Sequence, residues 1–221
     1  MNEFEKDRLE KDILPHLREI TELFVIVNEE IIRAEEINPE KKADIQVINE
    51  LRNTLTHLMR IFTAYFEIER DYNSGYVEVN LEKAFGHVYR AGYDTLDWTA
   101  LYLRSYIADE MKPYSSETIN SVFPEYYKDI KPDLESINNL IVDRRLKKDV
   151  GDPHIEDFLE YIKIVKKIRR YYDSVLRKKS SLIEYEEKIK KERGIKIITE
   201  LIVGVLIAII FAFIGYFWGI K

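Results

Sequence analysis

Leu201-Ile-Val-Gly-Val-Leu-Ile-Ala-Ile-Ile-Phe-Ala-Phe-Ile-Gly-Tyr-Phe-Trp-Gly-Ile220 is a run of twenty residues without a charge, followed by Lys221. A bilayer core of about 30 Å needs about twenty apolar residues at helical rise. A helix lying on a soluble core keeps a polar face, and this segment has none. The stretch therefore reads as a single transmembrane helix, an anchor over 197–221, with membrane lipids as its partner. Lys188, Lys190, Lys191, Arg193 and Lys196 precede it and only Lys221 follows. The positive-inside rule then places the N-terminal head in the cytoplasm, at the plasma or inner membrane. The absence of cysteine is compatible with a reducing compartment.

Gly204, Ala208, Ala212, Gly215 and Gly219 recur every three or four residues along the span. Small residues on one helix face allow close approach of a second membrane helix, so the stripe suggests a homo-oligomer. Tyr216, Phe217 and Trp218 stand where amphipathic rings favour the membrane interface.

Charge is unevenly distributed. Residues 163–196 hold thirteen Lys and Arg against five Asp and Glu; Glu200 and Lys221 cancel, so residues 1–162 carry −14 of the net −6. An acidic head on a basic stalk suits a position above anionic lipid headgroups. It argues against broad, sequence-blind affinity for nucleic acid, though not against a local basic pocket.

The head reads as all-α, a helical bundle. Leu17, Ile20, Phe24, Val27 and Ile31 give one apolar face to a helix over 16–37. Pro15 suits its start or a break within a longer helix. A second helix is predicted from Pro39 to about Asp71, with Val47, Ile48, Leu51, Leu55, Leu58, Met59, Phe62 and Phe66 inward. Asn73-Ser-Gly75 is a turn signal, and Tyr76-Val-Glu-Val79 could form a brief extended piece. A third helix spans about 80–111, where Pro113 ends it. A shorter helix near 116–129 is bent or stopped by Pro124, another runs from Pro132 to about Lys148, and Gly151-Asp-Pro153 is the next break. The organisation predicted is a helical domain over 1–152, a basic stalk helix over 153–196, and the anchor.

From about His154 the chain is expected to be helical into the membrane. Such a helix over 154–220 would be roughly 100 Å long, with a break allowed at the capping-box pattern Ser181-Leu-Ile-Glu184 or at Gly194. Tyr161, Val165, Ile168, Tyr172, Val175, Leu182 and Ile189 lie near a 3.5-residue repeat, a seam for the head or for a second copy.

The sequence contains no glycine-rich phosphate loop, no cysteine pair and no histidine cluster with metal-ligand spacing, so no cofactor is expected. Its four histidines (His16, His57, His87, His154) are scattered. One constellation carries chemistry: Arg52-Asn-Thr-Leu-Thr-His57. An Arg, a polar residue and a His four to six positions later resemble the signature of the HEPN superfamily. That resemblance covers about residues 39–111. It implies an all-helical domain, many of whose members are metal-independent ribonucleases with a site composed across a dimer. By the same resemblance, His57 assists proton transfer at the ribose 2′-hydroxyl, Arg52 stabilises the phosphate, and Asn53 orients the pair. RNA is then the implied substrate, and an activating protein or RNA-guided complex the implied partner, as in a defence or toxin system.

Imidazole exchanges protons near neutral pH and guanidinium matches phosphate oxygens. Residues five apart on a helix, however, lie about 140° apart, so another element must complete such a site. A second polar cluster, His87, Arg90, Asp94, Asp97 and Arg104, occupies the third helix. A hairpin turning near Gly75 would set His57 opposite Asp94 and Asp97, and Arg52 near Ala100 to Arg104. An inter-helix salt-bridge layer that sets register is the plainer reading of this cluster. The alternative function is a non-catalytic helical module that oligomerises through stalk and anchor, as a membrane effector or scaffold.

Overall fold

A computed structural model describes residues 11, 13–38, 44–68, 75–146 and 154–219. Within them the chain is all-α, without a strand: α1 (Leu14–Ile37), α2 (Ile45–Tyr65), α3 (Tyr76–Met111), α4 (Ser116–Val122), a π-helical turn (Tyr126–Ile130), α5 (Lys131–Leu146) and α6 (Ile155–Trp218). The expected breaks at Pro39 and at Gly151-Asp-Pro153, and Asn73-Ser74 of the turn, fall outside the described residues.

Local chemistry explains the boundaries. Pro15 sits in the first turn of α1, where its missing N–H removes no helical bond. Asp44 caps α2 by accepting from the Gln46 amide at 2.7 Å, satisfying a donor that the first turn leaves orphaned. The second helix stops at Tyr65, short of the expected Asp71. There Glu67 adopts φ +54°, its amide donates to Ala64 O, and the Ile68 amide donates to Thr63 O at 3.0 Å. This is a Schellman closure with glutamate in the left-handed position that glycine usually takes, so sequence gave little warning of it. Tyr76–Val79, read as a possible extended piece, forms the first turn of α3. Pro132 lacks the N–H for the helical bond to Lys128 O, and the chain meets it through the π-helical turn just before α5.

Packing groups the chain into two compact units, Met1–Tyr106 with Leu134–Arg170, and Ile107–Asp133 with Tyr171–Lys221. In the first, α3 is the central element. Its buried Tyr89 and Tyr93 pack against Phe158 of α6 at ring separations of 6.0 and 5.5 Å, and the Tyr161 hydroxyl donates to Asp97 at 2.6 Å. Arg104 of α3 donates to Asn138 of α5. A Cβ on Gly92 would lie 2.5 Å from Phe158 Cζ and 2.8 Å from Val27 Cγ2. Glycine thus lets α1, α3 and α6 meet at one point. Gly92→Ala is expected to destabilise the fold by about 1–3 kcal/mol through overpacking, read as a lower urea midpoint of the full-length protein in detergent.

Two inward faces differ from expectation. On α1, Leu23 is buried in place of Phe24, which is exposed. On α2, Val47, Thr54, His57 and Ile61 face inward, whereas Ile48, Leu55, Met59, Phe62 and Phe66 are exposed. The inward polar groups of α2 find specific partners on α3, and this sets the helix rotation against its own hydrophobic pattern.

In the second unit α6 uses its heptad seam within its own chain: Val175, Leu182 and Ile189 are buried there. Lys179 pairs with Glu110 at 2.9 Å. The buried Glu186 carboxylate accepts from the Thr118 hydroxyl at 2.6 Å and from the Ser115 amide and hydroxyl, both at 2.9 Å. The Thr118 hydroxyl, then the Ser115 amide, hold this carboxyl down at about 2, against an ordinary 4.5. Because the folded value is the lower one, its contribution is complete above about pH 4.5 and is lost as pH falls towards 2. Glu186→Gln is expected to flatten the acid limb of a stability-against-pH curve; an unchanged limb would assign acid sensitivity to other carboxylates.

α6 is unbroken at Ser181 and at Gly194, where four-residue helical bonding tolerates the small side chains. From Ile197 to Ile214 its side chains are exposed, and this end is long and apolar enough to cross a membrane. A Cβ at Gly204 would meet nothing within 4 Å, so no contact within the chain requires glycine there.

Candidate functional site

Histidine 57 is buried on the inner face of α2, and its Nδ1 lies 2.8 Å from Asn80 Oδ1 of α3. Asn80 donates its own Nδ2 to the Tyr76 carbonyl at 2.7 Å. With the amide oriented in this way, His57 Nδ1 is the donor to Asn80 and Nε2 carries the lone pair. The His57 ring stacks on His87, with centroids 5.2 Å apart and planes 16° from parallel. Burial lowers the His57 pKa; the Asn80 bond opposes this, while His87, Arg60 and Lys83 add to it. The ring is thereby held neutral at pH 7.

His87 is fixed from the other side. Its Nδ1 lies 2.6 Å from Glu50 Oε2, and Arg90 Nη1 approaches the same carboxylate at 3.2 Å. Glu50 sits two turns before His57 on α2, and its carboxylate bridges two residues of α3 spaced by three. A carboxylate accepting at Nδ1 leaves Nε2 of His87 for chemistry, the way such groups set an imidazole tautomer. His87 and Arg90 line an open cavity of about 610 Å³ together with His16, Glu19, Lys83 and Ile155, among others. His87, Arg90 and Lys83 at an accessible cavity, with His57 stacked on His87, can bind a phosphate and move a proton.

The structure separates the three residues of the sequence motif. Arg52 is exposed, Asn53 is half-buried and His57 is buried, as the 140° between positions 52 and 57 requires. Among the described residues no side-chain partner holds Arg52. The hairpin register also differs from expectation: His57 meets Asn80 and His87, not Asp94 and Asp97. The early end of α2 at Tyr65 and the early start of α3 at Tyr76 shift the facing positions by about three turns. Asp97 instead accepts from Tyr161. Glu50 and Asn80 carried no signal in the sequence, since their roles exist only across 37 and 23 residues of chain. Among the described residues no group of three His, Cys, Asp or Glu side chains is placed to hold a metal ion. Comparison with protein-family models, curated proteins and solved structures found no match to the chain.

Proposed function

We propose that this protein is a membrane-anchored, HEPN-like ribonuclease whose cytoplasmic helical head acts on RNA. The single observation that carries the reading is the stacked His57–His87 pair, with His87 held by Glu50 and opening beside Arg90 and Lys83 on a cavity of about 610 Å³. His87 Nε2 takes the proton of a ribose 2′-hydroxyl, whose oxygen attacks the adjacent phosphorus. The bond to the 5′-oxygen breaks, that oxygen takes a proton from solvent, and a 2′,3′-cyclic phosphate remains. Arg90 and Lys83 stabilise the charge that develops on the phosphoryl oxygens. His57 positions His87 by stacking. Arg52 and Asn53, which the family resemblance assigns to the site, do not line this cavity, and Arg52 lies on the exposed face of α2. The basic flank from Lys188 to Lys196 supports a cytoplasmic head.

RNA integrity in cells expressing the full-length protein tests this, beside His87→Ala and Arg52→Ala at matched expression. Cleavage lost with His87→Ala and retained with Arg52→Ala supports the site as drawn. Loss with both variants supports a site completed across copies. Intact RNA throughout removes the nuclease reading. The alternative is then a non-catalytic module that assembles copies at the membrane, for which the small-residue spacing of Gly204, Ala208 and Ala212 is the sequence feature.

A further inference from the structure

The cavity beside His87 has two ends of different character, both within the first compact unit. His87 and Arg90 stand at one end. At the other, α1 contributes Glu19 and Ile20, and α3 contributes Leu81, Glu82 and Phe85, with Lys83 between the two. The helices run parallel here: Ile20 shares the cavity with Leu81 and Phe85, while Val27, two turns on, lies against Gly92. Carrying the Val27–Gly92 level back along both helices puts Glu19 beside Ala84, about 9 Å short of Arg90 at helical rise. Ile20 and Leu81 are buried and Phe85 is half-buried, an apolar wall. Glu19 is exposed at its edge, and among the described residues no hydrogen bond or ion pair holds its carboxylate. A carboxylate without a cation of its own, beside an apolar wall, suits a ligand that brings N–H donors on a flat apolar body.

We infer that this end of the cavity reads the base of the nucleotide whose 3′-phosphate lies at His87 and Arg90, that the base is guanine, and that Glu19 is its reader. The inference rests on the nuclease reading of the site. The two ends are one nucleotide's length apart, from phosphorus to the far edge of the base. Their charges also fix its direction: the phosphate goes to Arg90, and Glu19 and Glu82 repel it from the other end. Guanine alone among the four bases presents two adjacent N–H donors, N1 and N2, which match the two oxygens of one carboxylate. Adenine and cytosine offer an amino group beside a ring nitrogen lone pair, and uracil an imide N–H between two carbonyls. Each of these turns an acceptor towards the carboxylate and leaves it unpaired, the kind of mismatch a polar site rejects most strongly. The ring face rests on the apolar wall at Phe85. A cavity of about 610 Å³ is of the size that holds one small ligand. The attacking 2′-hydroxyl belongs to the nucleotide whose base is read, so the product ends in guanosine 2′,3′-cyclic phosphate.

Full-length protein in detergent is titrated with the 3′-monophosphates of guanosine, adenosine, cytidine and uridine. Its cleavage of a single-stranded RNA of mixed sequence is mapped by the base at each cyclic-phosphate end. Guanosine 3′-monophosphate is expected to bind at least about tenfold more tightly than the other three, the discrimination of one bidentate pair. Inosine 3′-monophosphate, which lacks only the N2 amino group, is expected to lose most of that advantage. Glu19→Gln, at an exposed position, is expected to bring guanosine to within about twofold of the others, a selective change that a general loss of folding would not give. Cleavage ends are expected to follow guanosine in the same ratio. Binding without base preference, or a guanosine preference that survives Glu19→Gln, would overturn the inference. Cleavage spread evenly over the four bases would overturn it too, and leave the nuclease reading standing. A guanosine preference removed by Glu19→Gln, in a protein that leaves RNA intact, would support the base reader and overturn the nuclease reading.

Discussion

Under the proposed function, His87→Ala is expected to lower RNA cleavage by the full-length protein at least about 100-fold, the scale of a lost proton-transfer group. The substitution removes the imidazole that Glu50 and His57 jointly orient, and leaves Arg90 free to pair fully with Glu50. His57→Ala is expected to cost less activity and more stability, since it strands the buried Asn80 oxygen that His57 Nδ1 satisfies. A ratio of activities, with folding checked by circular dichroism, separates the two roles. Equal losses on both would make the stacked pair a single catalytic unit. Retained cleavage with His87→Ala would remove this residue from the mechanism.

Deletion of residues 197–221 is expected to move the protein from the membrane to the soluble fraction. Thirteen Leu, Ile, Val and Phe residues lie between 201 and 220. At about 0.3–0.6 kcal/mol each for insertion, they supply on the order of 5 kcal/mol, a partition of several thousandfold. Among the described residues, 197–214 are exposed and contribute none of the buried core. The shortened protein is therefore expected to stay mostly helical, and alkaline extraction of membranes measures its release. A shortened protein that still resists extraction would point to a second membrane contact on the head. Recovery only as aggregate would show that the anchor also supports folding.

These two expectations draw on different kinds of information. The helix fit to cross a membrane was legible because hydropathy is additive along a chain and needs no partner to be recognised. The helices of the head were legible for a similar reason: apolar residues at three- and four-residue spacings report a helix wherever it packs. The caps Asp44 and Ser115 became visible only in the structure. The end at Glu67 carried no such mark, since a glutamate in the left-handed region stands where glycine would have signalled the stop.

Periodicity says that a helix has an apolar face, not that this face turns inward. On α2 two faces competed, and the weaker hydrophobic one won because His57 and Glu50 found Asn80, His87 and Arg90 across the hairpin. Buried polar groups with well-placed partners outweigh the burial of a few apolar side chains only when those partners are present. The same holds for α6, whose seam was visible as a repeat while its occupant was not. Val175, Leu182 and Ile189 are buried within one copy, and Glu186 in that seam is stabilised by Ser115 and Thr118. By itself, then, the sequence determined an all-helical chain with one helix fit to cross a membrane, because both follow from local period and composition. The tertiary structure alone decided which faces are covered and which histidine partners which carboxylate, because those depend on hydrogen bonds between residues distant in sequence.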